Sequence, residues 1–178
     1  MHQIESSILI IKMRIGLISD THSYMDDKIL AYLSEVDEIW HAGDIGNQEV
    51  IAALEKLAPV KVVYGNVDGG KLRYYPEVLT FEAGGLKVLM VHIAGPIGRY
   101  NPTLRALLKA EKPQILVCGH SHILKVQKDA AFENLLYINP GAAGIHGFHK
   151  MRTIIRMEIL EGKITKMEVV ELGKRGVI

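Results

Sequence analysis

Val36-Asp37-Glu38-Ile39-Trp40-His41-Ala42-Gly43-Asp44 is the stretch from which this chain is read. An apolar run closes at Trp40, a glycine follows at 43, and a carboxylate stands just past the strand end. A carboxylate so placed can offer one oxygen to each of two cations. Four further stretches end strand-like runs in Asp, Asn or His: Asp20-Thr21-His22, Gly65-Asn66-Val67-Asp68, Val91-His92 and Gly119-His120-Ser121-His122. The expectation is that all of them meet at one edge of one sheet, with Asp44 bridging two metal ions.

Outward from Asp44, strand and helix patterns alternate. Residues 15–19 and 36–40 are short apolar runs, and 60–64 is a third. Between them, 25–34 carries Ile29, Leu30 and Leu33 at helical spacing, and 48–57 follows Asn47, a suitable helix cap. This order favours parallel pairing with helices on a face. The pattern then changes. Runs at 78–82 and 86–91 flank Ala83-Gly84-Gly85 as a hairpin, and a loop leads to a helix at 103–110. Further strands are expected at 114–118, 123–127 and 135–138, with a closing hairpin of 153–160 and 164–172 about Glu161-Gly162. The sum is an α/β fold, a four-layer αββα sandwich of two mixed sheets flanked by helices. The first half is expected to be mostly parallel and the second richer in antiparallel pairs.

The 178 residues read as a single domain, large enough to bury a proper core. A net charge of +1 gives no electrostatic footprint for nucleic acid or a membrane surface. The single cysteine, Cys118, excludes an internal disulfide, fits a reducing compartment and reads as an inert buried thiol. The N-terminus lacks a basic cluster and a long apolar core, and no stretch approaches the roughly 20 apolar residues that span a bilayer. The expected location is cytoplasmic. Met13-Arg14-Ile15 resembles a chain start, so residues 1–12 are read as an extension of the first strand or the product of an upstream start.

In extended chain, residues i and i+2 share a side, so Asp20 can converge with His22, and His120 with His122. Mixed imidazole and carboxylate donors suit manganese, iron, zinc, nickel or cobalt. No cysteine stands among the donors, which excludes a structural thiolate zinc site.

Asp20-x-His22, Gly43-Asp44, Gly65-Asn66, His92 and Gly119-His120-x-His122, in that order, resemble the calcineurin-like metallophosphoesterase superfamily. The short chain and Ile138-Asn139-Pro140-Gly141 resemble its small prokaryotic phosphodiesterase branch. The resemblance implies two divalent ions, manganese first among the candidates. Asp20, His22, Asp44 and His122 would hold one; Asp44, Asn66, His92 and His120 would hold the other. It implies hydrolysis of a small or nucleotide-like phosphodiester by a hydroxide between the ions, with Asp44, Asn66, His92 and His120 as the catalytic set. Many relatives read Gly-Asn-His, where the His is proposed to protonate the leaving group. Here Val67 follows Asn66 and has no proton to give, so activated aryl diesters are the expected better substrates.

Around this set, His41, Arg99, His146 and His149 are the candidates for substrate contact. His41 reads equally as a residue steadying a ligand and as a structural histidine. Either His146 or His149 could touch substrate or replace the missing acid. Arg99 reads first as a solvated loop residue, as does Asp68. Asn139-Pro140-Gly141 reads as a turn. Asp20 or Asp44 alone could be a helix cap. Competing functions are a non-catalytic scaffold, as in the retromer subunit of this fold, a phosphomonoesterase and, lower, a nuclease. A scaffold has no need of seven metal-binding side chains. Nucleic acid and membrane are not expected partners, and the hairpins could pair chains into a homo-oligomer.

Overall fold

The structure, a computed structural model, describes residues 12–133 and 135–176. Residues 1–11, most of the expected extension, lie outside the described residues; Lys12 opens the first strand. The chain order is β1 (Lys12–Ile18), α1 (Asp27–Leu33), β2 (Glu38–His41), α2 (Gln48–Glu55), β3 (Val60–Val62), β4 (Val78–Ala83), β5 (Leu86–Val91), α3 (Pro102–Glu111), β6 (Ile115–Val117), β7 (Lys125–Asp129), β8 (Leu135–Asn139), β9 (Met151–Leu160) and β10 (Lys163–Lys174). Two short 3-10 turns, Gly70–Tyr74 and Ala130–Phe132, lie between β3 and β4 and between β7 and β8.

The strands form two five-stranded sheets, ordered β10-β9-β1-β2-β3 and β4-β5-β6-β8-β7. Each holds three adjacent parallel strands and two antiparallel pairings: the β9–β10 hairpin extends the first sheet from β1, while β4 and β7 flank the second, so both sheets are mixed. The closing hairpin crosses back to pair with β1, where Leu17 faces Ile155. As expected, the pairings within the first half of the chain are mostly parallel, and the second half adds the antiparallel pairs β7–β8 and β9–β10; these are shared between the two sheets.

Alternation along the strands explains the layers. Ile15, Leu17, Trp40, Val88, Met90, Val117 and Met157 point inward and fill the space between the sheets. Ile18, Ile39 and Ile154 point the other way and pack under Ile29 and Leu33 of α1 and Val50 and Leu54 of α2. Leu89, Leu116 and Tyr137 do the same under Leu104 and Leu108 of α3. Burying each such side chain contributes about 1.5–3 kcal/mol. The helices are capped by Asp26, Asn47 and Asn101, each accepting from the backbone N–H three residues on. Asp20 and Asp44 cap nothing.

At the end far from Asp44 the two sheets touch through their turns: the N–H of Gly162 donates to the carbonyl of Gly84 at 2.8 Å. Among the described residues no helix is long and apolar enough to cross a membrane.

Candidate metal centre

The candidate ligands follow the carboxyl ends of parallel strands in both sheets. Asp20 and His22 follow β1, Asp44 follows β2 and Asn66 follows β3; His92 follows β5, and His120 and His122 follow β6. This corrects the expectation of one sheet. Packing face to face sets the parallel strands of the two sheets running toward a common end, and the donors meet across the gap. It is the end where open α/β sheets bind small molecules.

The loops are not extended either. Asp20, His22, Asp44, His120 and His122 all have left-handed backbones, with φ of 54°, 47°, 52°, 67° and 57°. Such conformations cost a non-glycine residue roughly 1–3 kcal/mol each and persist where the surroundings over-determine them. The i, i+2 argument therefore fails for the second pair. His120 and His122 turn apart, each into its own group of donors.

Asp20, His22 and His122 have donor atoms all within 4.8 Å of one another, and so do Asp44, His92 and His120. In the first group His122 Nε2 lies 3.2 Å from Asp20 Oδ1 and 3.3 Å from His22 Nε2. In the second, His92 Nε2 lies 3.2 Å from Asp44 Oδ1 and 3.1 Å from Asn66 Oδ1. Asp44 reaches both: its other oxygen is 3.8 Å from His22 Nε2. Burial opposes charge on Asp44, but His92, the Val67 N–H and His22 outweigh it and hold the carboxyl below its usual range. Burial likewise opposes charge on His92, yet the hydrogen bond with Asp44 and the charge of Asp20 raise its pKa. On His22 burial wins and lowers it.

The supports explain how buried charge is held in place. Gly43, at φ 94°, lies so close to His92 that a Cβ would come within 2.6 Å of the ring Nδ1, so only glycine fits ahead of Asp44. Asp68, read as solvated, is buried. Its carboxylate accepts from the backbone N–H of Ile45 (3.1 Å), Gly46 (2.8 Å) and Gly65 (2.7 Å), clamping the Asp44 loop to the Asn66 loop. Asp20 accepts from the His120 N–H at 3.2 and 3.1 Å, tying the two sheets together at the site. Asn139 is more than a turn residue. Its amide donates to the Gly119 carbonyl (2.7 Å), steadying the His120 loop.

Of the residues expected to touch substrate, only His146 lines the cleft, together with His22, His120, His122 and Phe148. His41 is fully buried, a correction: the Gly43 N–H donates to its Nδ1 (3.2 Å), leaving Nε2–H to donate to Thr21 Oγ1 (2.9 Å). Burial depresses its pKa to about 4. His149 is a correction too, since both ring nitrogens are engaged: Nε2 with the Gly144 carbonyl (3.1 Å) and Nδ1 with His122 Nδ1 (3.3 Å). Arg99 is exposed on its loop and lines neither opening beside the donors. Phe148, fully exposed beside the cleft, and Arg73, whose guanidinium lies 4.3 Å over the Tyr64 ring, carry no signal in the sequence.

With this geometry in view, comparison with known proteins is informative. The family model described as the calcineurin-like phosphoesterase superfamily domain matches residues 13–162. The chain belongs to the calcineurin-like phosphoesterase superfamily. This phosphoesterase is 32% identical over 141 residues to a probable metallophosphoesterase of Methanothermobacter thermautotrophicus, covering 73% of this chain and 77% of that one. It is 30% identical over 166 residues to another from Methanocaldococcus jannaschii, covering 88% and 82%. Its fold matches Vps29 from Entamoeba histolytica with a TM-score of 0.68 at 19% identity, over 90% of this chain and 100% of that one.

Proposed function

We propose that this phosphoesterase is a dinuclear-metal phosphodiesterase acting on a small or nucleotide-like ester. The observation that carries the reading is Asp44, one carboxylate with an oxygen directed to each of two donor groups. The donors fit divalent ions. Asp20, His22, Asp44 and His122 would hold one; Asp44, Asn66, His92 and His120 the other. Imidazole, carboxylate and amide oxygen together suit manganese first, with nickel, iron, zinc and cobalt as alternatives. Bound there, such ions supply Lewis acidity, which acidifies water and neutralises charge on the phosphoryl group.

The chain does the rest. His92 donates its Nδ1–H to the Ala42 carbonyl at 2.7 Å, so Nε2 is the nitrogen turned to the cleft, and a cation there would take the place of the proton it shares with Asp44. Asp44 is fixed by the Val67 N–H at 3.1 Å, so its two oxygens keep separate directions. The Val67 side chain is exposed beside them and offers no proton. Leaving groups that depart without protonation are therefore favoured. Two openings flank Asn66: a cleft of about 270 Å³ lined by His146 and Phe148, and a groove of about 550 Å³ lined by Tyr64, Arg73, Ile93 and Leu104. A diester has two arms to place, and this supports a diester over a monoester.

The test is turnover by metal-stripped protein resupplied in turn with Mn²⁺, Ni²⁺, Zn²⁺ and Mg²⁺. Bis-p-nitrophenyl phosphate is expected to exceed an alkyl monoester in kcat/KM. The reverse order overturns the diester preference, and no turnover with any ion overturns the enzyme in favour of a scaffold.

A further inference from the structure

We propose that His149 is a positioning residue for His122, fixing the tautomer that leaves His122 Nε2 free to bind a cation; this rests on the dinuclear reading above. A carbonyl can only accept, so the contact from His149 Nε2 to the Gly144 oxygen at 3.1 Å places the hydrogen of His149 on Nε2. The neutral ring then has a bare Nδ1. That atom faces His122 Nδ1 at 3.3 Å, and two bare nitrogens would repel. The hydrogen between them belongs to His122 Nδ1. Its Nε2 is then bare; Asp20 Oδ1 beside it, which can only accept, competes for the hydrogen until a cation lies between Asp20, His22 Nε2 and His122 Nε2.

The loop is built for this contact. The rings meet at 72° with centroids 5.2 Å apart. Gly147, at φ 115°, passes so close that an added Cβ would collide with the His122 ring. The His149 carbonyl accepts from Arg175 Nε at 2.9 Å, which fixes the far side of the loop. A ligand histidine is usually oriented by a carboxylate, a carbonyl or water. Here a second imidazole stands between the ligand and the carbonyl. Both nitrogens of His149 are used in this role, so it is not the missing general acid.

Two variants and two readouts test the proposal. His149→Ala removes the acceptor; His149→Asn keeps an acceptor oxygen near the position of Nδ1. In metal-free protein carrying Asp20→Ala, which removes the competing acceptor, ¹⁵N spectra of the imidazoles are expected to show His122 with its hydrogen on Nδ1 when position 149 is His or Asn. With His149→Ala added the hydrogen is expected on Nε2, the form free imidazole side chains prefer. By calorimetric Mn²⁺ titration, His149→Ala is expected to weaken one of two binding steps by about 10- to 100-fold, with Asn restoring it to within a few-fold. His122 with its hydrogen on Nε2 in the Asp20→Ala protein overturns the proposal, as does a His149→Ala variant with unchanged tautomer and unchanged affinity. If the wild type binds no Mn²⁺ at all, the dinuclear reading fails, and the metal-free spectra still decide the relay.

Discussion

The two halves of the candidate centre use the same donor chemistry but anchor it differently. In one half, His92 is buried in the sandwich and donates its Nδ1–H to the carbonyl of Ala42, just past the end of β2. In the other, His122 is partly open and leans on a side chain of the rim loop, His149. The first imidazole is preset by backbone that cannot move without disturbing the core. The second depends on a surface segment. The lesson is that a symmetric ligand count can hide unequal halves: the His92 half is expected to survive changes that empty the His122 half.

The largest expected effect tests what the halves share. Asp44→Ala removes the one carboxylate common to both, so activity is expected to fall by roughly 10³-fold or more, the rate equivalent of about 4 kcal/mol. Metal analysis is expected to show both ions weakened. His122→Ala and His92→Ala each remove one. Two tightly held ions in the Asp44→Ala protein would break the comparison at its root.

Asp68→Ala strips the acceptor from two buried backbone N–H groups, of Ile45 and Gly65, and from the part-buried N–H of Gly46. A cost of about 3–5 kcal/mol in urea unfolding is expected, with Asp68→Asn intermediate. A loss under 1 kcal/mol would mean that the clamp is dispensable.

His41 lies beneath both halves and sharpens the comparison through pH. Its pKa in the fold, about 4, is below the ordinary 6.5 of histidine. The unfolded chain therefore takes up a proton over that window while the folded chain does not. The contribution is fully present above pH 6.5 and is lost as pH falls toward 4, amounting to about 3 kcal/mol. His41→Gln is expected to flatten the curve of stability against pH over this range. An unchanged slope would assign the acid sensitivity elsewhere.

The smallest effect concerns the leaving group. Val67→His is expected to raise kcat/KM on alkyl esters by about 10²-fold while leaving aryl diesters nearly unchanged. Equal gains on both would show that protonation is not what the native site lacks.

Much of this was legible in the order of residues. Apolar runs ending in Asp, Asn or His mark strand ends, and the helix cap at Asn47 is a local signal. What was not legible depends on partners far away in sequence. Asp68 looks solvated until N–H groups 22 and 23 residues earlier close on it. The divergence of His120 and His122 follows from left-handed backbones that residue types alone do not announce. His149 looks like a rim contact until the loop folds back onto a residue 27 positions away. The return of β9 to β1 spans most of the chain, and alternation within either strand says nothing about which neighbour it takes.

The contact between Gly162 and Gly84 gives the sandwich a fixed base. With the turns latched there, the sheets can part only at the opposite mouth, as the arms of tongs part away from their pivot. The donors at that mouth are drawn from both arms, so a cation held between them is also a fastener for the fold. Loading the site is then expected to slow hydrogen exchange along β2, β3 and β6 near the mouth and to leave the latched end unchanged.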